Sequence, residues 1–255
     1  MRPLRIVFVA LCFLAWSSSA RAERLVVVLS NETVQVTSSF AGETLSIFGN
    51  IEPDTGGPER FVEGPYHVIV VIRGPTIDRV AREKTNVLGV WINTQQVVFE
   101  DFPSYFKVIS SGSLESITDP ATLAVESILP EAQAQFSEEA GWWDSAIFGR
   151  ELVRLMTEKG HYGLNEGGIN FASNTVFSAR LTLPSDTPPG PYLAHIYVFK
   201  DGQIVAKRVE GFGVRKIGFE RFLGTSAVQY PLLYGLASVL LALFTGWLGG
   251  VVFKR

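Results

Sequence analysis

The chain is almost without sulfur. Its one cysteine, Cys12, lies in an apolar run near the N-terminus, and Met1 and Met156 are its two methionines. A chain that loses that run keeps no thiol, and so no disulfide, no thiolate nucleophile and no cysteine-ligated metal. Copper handling, which favours sulfur ligands, is excluded by the same shortage. Histidine is scarce too, limited to His67, His161 and His195. No G-x-S-x-G elbow marks a hydrolase nucleophile. Gly56-Gly57 and Gly167-Gly168 are not followed by Gly-Lys-Ser or Gly-Lys-Thr, which excludes a phosphate-binding loop of that kind. Internal repeats and low-complexity tracts are lacking.

What is present at the two ends sets the topology. Ile6 to Trp16 is a short apolar run behind Arg2 and Arg5, and Ala20-Arg21-Ala22 closes the small-residue stretch that follows. These are the three parts of a secretory signal, so residues 1–22 are expected to be removed and the mature chain to begin at Glu23. Val228 to Phe253 is long, apolar and uncharged, enough for one helical span of the bilayer. Tyr230, Tyr234 and Trp247 partly match an aromatic belt. Export of the N-terminal part leaves Lys254 and Arg255 inside, in agreement with the positive-inside rule. Arg215, Lys216 and Arg221 disagree with it, but large domains cross regardless of charge. The expected organisation is therefore a signal peptide (1–22), an exported domain (23–214), a juxtamembrane segment (215–227), a transmembrane helix (228–253) and a cytoplasmic tail (254–255).

Basic residues are in deficit in the exported part. Loss of Arg2, Arg5 and Arg21 takes three of the 22 bases and none of the 25 acids, leaving 19 against 25, a balance of −6. Such a domain is a poor partner for nucleic acid, which selects basic patches.

Short β-branched and alternating runs divided by glycine and proline predict a mainly β domain, a sandwich of the immunoglobulin-like kind. Leu25 to Leu29, Thr33 to Thr37, Thr44 to Phe48, Tyr66 to Ile72, Ile77 to Arg82, Val87 to Ile92, Val97 to Phe99 and Tyr105 to Ile109 are the strand candidates before residue 111. Gly49 to Gly64 reads as a loop. A helical insertion is predicted over about 118–160. Asp119 caps a helix from Ala121 to Leu129 with Pro120 in its first turn, and a second runs through Glu131 to Ala140. A third, capped by Asp144, carries Phe148, Leu152 and Leu155 on one face and ends at Gly160. Val176 to Leu183, Tyr192 to Phe199 and Ile204 to Val214 return to β, the last two joined by Asp201-Gly202, a strong turn signal. Asp186 to Tyr192 looks like a tyrosine corner, in which the hydroxyl bonds back to upstream backbone.

Several groups of residues together resemble a known family. They are Ser39-Phe40-Ala41-Gly42-Glu43, Val70-Val71-Ile72-Arg73-Gly74-Pro75, Arg82-Glu83-Lys84, Gly89-Val90-Trp91-Ile92-Asn93, Phe102-Pro103-Ser104-Tyr105, Gly218-Phe219-Glu220-Arg221 and Pro231-Leu232-Leu233-Tyr234-Gly235 with Gly246-Trp247. The family is that of alphaproteobacterial transmembrane proteins with no assigned activity. The resemblance covers nearly the whole mature chain. It implies an inner-membrane protein with a periplasmic domain, and relatives encoded beside a sulfite-exporter-type permease. It implies no catalytic residue.

The candidate site residues are few. His67 and His195, with Glu52, Asp54 or Asp186, are the candidates for a metal site, but no ligand pair has a tight spacing. Glu131, Glu138 and Glu139 read as a solvated helix face. No catalytic residue and no cofactor are assigned. Trp142 and Trp143 are candidates for gripping a partner, although pinning the insertion onto the sandwich is the favoured role for adjacent aromatics. Ser238, Ala242, Gly246 and Gly250 recur every four residues in the span, the small-xxx-small pattern that lets helix backbones approach. The expected role is a binding or accessory protein whose anchor packs beside an integral membrane protein such as a permease, or against a second copy. The alternatives are a periplasmic metal-binding or hydrolytic enzyme and a structural envelope protein.

Overall fold

The computed structural model describes residues 23–36, 42–53, 64–134, 142–216 and 219–252. The expected signal peptide and the tail after Val252 lie outside these residues.

Two sheets face each other, as expected of a mainly β chain. The first has the order β1 (Arg24–Leu29), β3 (Glu43–Glu52), β10 (Val176–Leu183), β9 (Ile169–Phe171), all antiparallel. The second has the order β2 (Thr33–Val36), β12 (Gln203–Lys216), β11 (Gly190–Lys200), β4 (His67–Arg73), β7 (Phe106–Ser110), β8 (Tyr162–Glu166). Its outer pairs, β2 with β12 and β7 with β8, are parallel. Leu45, Ile47, Phe177 and Leu181 of the first sheet pack against Val68, Val70, Tyr192, Ile196 and Phe212 of the second. The arrangement is compatible with an immunoglobulin-like sandwich. Its tyrosine corner is formed: Tyr192 Oη donates to the carbonyl of Pro188 at 2.7 Å.

β4 explains why the domain is more than two layers. Its sequence, HVIVVIR, is a continuous apolar run rather than an alternation. Val68, Val70 and Ile72 face the first sheet, while Ile69 and Val71 face a second core. A strand buried on both faces needs apolar residues on both. The second core is closed by α1 (Leu114–Ile117), α2 (Pro120–Val125), a 3₁₀ turn (Pro130–Gln133), α3 (Trp142–Glu158) and the hairpin of β5 (Thr76–Val87) with β6 (Val90–Pro103).

The insertion departs from the sequence reading in detail. Asp119 caps α2 as predicted, its carboxylate accepting from the Thr122 amide at 2.7 Å. The helix ends at Val125 rather than Leu129, because Ser127 turns left-handed with φ 49°. The helix expected over Glu131 to Ala140 is a 3₁₀ turn ending at Gln133, and residues 135–140 lie outside the described ones. α3 begins before Asp144. Its buried face carries Val153 and Met156 beside Phe148 and Leu152, whereas Leu155 is 46% exposed. Gly160 closes it with φ 74°, the left-handed conformation glycine adopts without strain.

Two strand boundaries also shift. The stretch read as a loop from Gly49 begins later, since β3 continues to Glu52. Gly49 suits this strand because the buried Phe177 ring lies over it, 2.1 Å from where a Cβ would stand. Ile77 to Arg82, Val87 to Ile92 and Val97 to Phe99 are not three strands. They form one long hairpin whose turn, Leu88-Gly89, divides the second of them.

β12 runs on to Lys216. α4 (Phe219–Gln229) follows, and α5 (Pro231–Val252) begins after Tyr230 with proline at its first position, where its missing N–H costs nothing. α5 is the one helix among the described residues long and apolar enough to cross a membrane, and none of its apolar window is buried.

Candidate functional site

Charged and polar side chains from several elements line a cleft at the root of the β5–β6 hairpin. Arg73 ends β4, and Gly74-Pro75 turns the chain into β5. A side chain at Gly74 would meet Tyr105 Cβ at 2.8 Å and Tyr192 Cε1 at 3.0 Å, so the turn is held tightly against the tyrosine corner. On the returning strand the register slips between Ile77/Phe102 and Arg79/Phe99, leaving Glu100 and Asp101 opposite Asp78. Bulges of this kind bend a strand and interrupt its pairing. Asp101 sits at φ 49°, its amide donating to Asp78 Oδ1 at 3.2 Å. The result is a cleft of about 530 Å³ lined by Arg73, Thr76, Glu100, Asp101, Gln133 and His195, among others.

Arg73 joins the insertion to the sandwich here. Its Nη2 donates to the carbonyls of Glu126 and Ser127 at 3.2 and 3.0 Å, and its guanidinium lies 5.7 Å from the Phe106 ring centroid. Glu126 also binds the Lys207 ammonium, which lies 5.0 Å from the Tyr197 ring centroid. The hydrogen bond from Lys207 is the main reason the Glu126 carboxyl is held below its usual range. His195 is half-buried beside these groups. Burial first, then the charges of Arg73 and Lys207, lower its pKa, against a weaker opposing pull from Glu126. A neutral imidazole, a guanidinium and two carboxylates around one cleft can hydrogen-bond a small polar ligand or a partner's loop.

The structure does not bring the two candidate metal histidines together. His67 pairs with Phe199 and His195 with Val71, so four register positions separate them along β4 and β11. His67 Nδ1 lies 3.5 Å from Ser111 Oγ. Asp186 pairs instead with His161, Nε2 to Oδ2 at 2.9 Å, tying the start of β8 to the loop before β11. Among the described residues no group of three or more His, Cys, Asp or Glu is arranged to hold a metal. Trp142 and Trp143 open α3, but their side chains lie outside the described residues.

Ser238, Ala242, Gly246 and Gly250 all fall within α5, four residues apart on one face. Ser238 Oγ donates to the Tyr234 carbonyl at 2.8 Å, so its polar group is satisfied within the helix. A Cβ added at Gly246 or Gly250 would meet nothing within 4 Å. Among the described residues no contact accounts for glycine at either position.

Arg73 stands out in the sequence only as part of Val70-Val71-Ile72-Arg73-Gly74-Pro75. Its partners are backbone carbonyls 53 and 54 residues away, and no side-chain pattern announces those. The hairpin tip is equally unannounced, and its Val87, Leu88, Val90, Trp91 and Ile92 are all exposed.

Compared with known proteins, the sequence model of the family described as "Putative transmembrane protein (Alph_Pro_TM)" matches residues 24–255. No curated protein matches the chain.

Proposed function

The chain belongs to the Alph_Pro_TM transmembrane protein family, and from that premise we propose a membrane-anchored periplasmic binding or accessory protein. In this reading α5 crosses the inner membrane once, with the sandwich outside and the C-terminus in the cytoplasm. The helix packs beside an integral membrane protein of the permease kind, and the cleft at the hairpin root receives the ligand or partner loop.

The observation that carries the reading is α5 itself. It offers 22 residues of apolar helix, none of them buried against the rest of the chain. Lipid alone asks only for apolar side chains. The ladder of Ser238, Ala242, Gly246 and Gly250 asks for something that comes close, because small residues let two backbones approach. Among the described residues nothing packs on glycine at 246 or 250, and a neighbouring helix would give both a use.

The test is copurification in mild detergent. The native chain should bring down an integral permease at fixed stoichiometry, and Gly246→Leu should release it while the domain stays folded. If Gly246→Leu leaves every partner and oligomer unchanged, the helix-packing role is wrong.

A further inference from the structure

We infer that the β5–β6 hairpin tip is a second membrane contact, dipping into the headgroup region of the bilayer that α5 crosses. The inference rests on the chain being membrane-anchored and on nothing in the accessory reading.

The tip is apolar where a folded domain has no use for it. Leu88 and Gly89 form the two-residue turn, and Leu88 is 99% exposed. Leu88 and Gly89 have φ of 54° and 86°, values that favour Asn-Gly or Asp-Gly. A leucine there carries backbone strain and gains no intrachain packing in return.

The neighbours repeat the pattern all round the ribbon. Val87 pairs with Val90, and Thr85 with Ile92, putting Val87, Val90 and Ile92 on one face. Asn86 pairs with Trp91, putting the indole, 66% exposed, on the other. A protein partner would be met by one face. Apolar groups on both faces and at the apex suit a surrounding medium without direction, and tryptophan is the side chain most at home in the interfacial layer. The turn amide is already satisfied, with Gly89 N–H donating to Asn86 Oδ1 at 2.9 Å.

Polar groups follow at the right depth. Lys84 and Asn93 form the pair immediately after Thr85 and Ile92 toward the root, and Arg82 faces Gln96. Four residues of strand from Leu88 to Lys84 span roughly 13 Å. Immersion of the apex by about 5–10 Å, the depth of interfacial segments, therefore keeps Lys84 on the headgroup side of the apolar tip, with Arg82 two residues further out toward water. A two-stranded ribbon has open edges and cannot go deeper, since hydrocarbon leaves unpaired backbone unsatisfied.

The topology puts the root in a suitable place. Arg73, Phe106 and Gly190 lie at the end of the second sheet where β12 leaves, through the pairs Leu193/Arg73, Arg73/Phe106 and Gly190/Val214. The hairpin thus springs from the end of the sandwich that leads to α4 and α5. Its 12-residue strand β5 reaches roughly 40 Å. The 11 residues of α4 separate that end from α5 by about 17 Å of helix. The hairpin is long enough to reach the bilayer surface.

The test uses the full chain with Cys12→Ser and one new cysteine. Leu88→Cys carries an environment-sensitive fluorophore, and Glu115→Cys, exposed at the far end of the second sheet, serves as control. The protein is reconstituted in phosphatidylethanolamine and phosphatidylglycerol vesicles, with or without nitroxide on the lipid acyl chains. At position 88 the emission should be blue-shifted and lost in nitroxide lipid; at 115 it should be water-like and unaffected. Water-like, unquenched emission at 88 overturns the inference. So does a blue shift that nitroxide lipid does not quench, which means the tip is buried against a second copy. Neither result bears on whether Gly246 packs against a partner helix, so the two proposals fail separately.

Discussion

Two tyrosines 5.7 Å apart make opposite demands on their hydroxyls. Tyr192 Oη donates to Pro188 at 2.7 Å, whereas Tyr105 Oη is buried and has no partner among the described residues. Both rings are almost fully buried, and burial raises both phenol pKa values. Each substitution to phenylalanine keeps the ring and deletes one oxygen, so packing is nearly constant and the hydrogen bond decides. Tyr192→Phe removes a bond to the partly buried Pro188 carbonyl, a loss of about 1 kcal/mol. Tyr105→Phe removes a buried, unpaired polar group, which relieves a desolvation penalty of about 1 kcal/mol. For a domain of this size each kcal/mol moves the Tm by roughly 2–4 °C. Tyr192→Phe should therefore lower the Tm by a few degrees while Tyr105→Phe leaves it unchanged or raises it. Thermal unfolding of the detergent-solubilised chain, followed by near-UV circular dichroism, separates the two. Equal losses from both variants would refute the assignment of the corner bond to Tyr192 alone.

Gly49→Ala should cost about 1–3 kcal/mol, the usual range for overpacking, because the new methyl collides with the Phe177 ring; a thermal or denaturant midpoint equal to the parent's contradicts this. Arg73→Met keeps the stem but loses two charged hydrogen bonds, for roughly 2–3 kcal/mol, and should raise hydrogen exchange across 114–133 more than in β10. Uniform exchange in that variant argues against Arg73 as the tie between insertion and sandwich. His195 has a lowered folded pKa, so the unfolded state binds its proton first as pH falls. Its contribution to stability is complete above its unfolded value of 6.5 and declines below it. Glu126, also lowered, contributes above its unfolded value of 4.5 and loses this as pH falls through the folded pKa. His195→Gln should therefore shrink the Tm difference between pH 7.5 and 5.5, and an unchanged difference would clear His195 of any role in it.

What could be read in the sequence was what local chemistry determines. Asp119 ahead of Pro120, Asp201-Gly202 between apolar runs, the Tyr192 corner and the apolar length of α5 each carry their own geometry. The third layer was present in the unbroken HVIVVIR of β4, which needs cover on both faces. The hairpin turn was hidden because Leu88 stands where asparagine or aspartate would announce it. Val87 to Ile92 then looks like one continuous strand. Leu155 was placed on the buried face by spacing alone, yet the core met by α3 lies toward Val153 and Met156. The site was the least legible part. Arg73 acts on carbonyls of a distant segment, and His161 meets Asp186 across 25 residues. Only the folded chain brings such groups together.

The central claim is one span with the sandwich outside the cytoplasm, and cysteine accessibility in intact cells tests it most directly. With Cys12 replaced, single cysteines at Glu115 and at Arg255 report the two sides. A membrane-impermeant maleimide should label position 115 in whole cells with a permeabilised outer membrane, and position 255 only after the inner membrane is broken. Labelling of 255 but not 115 in intact spheroplasts, or of both at once, contradicts the account.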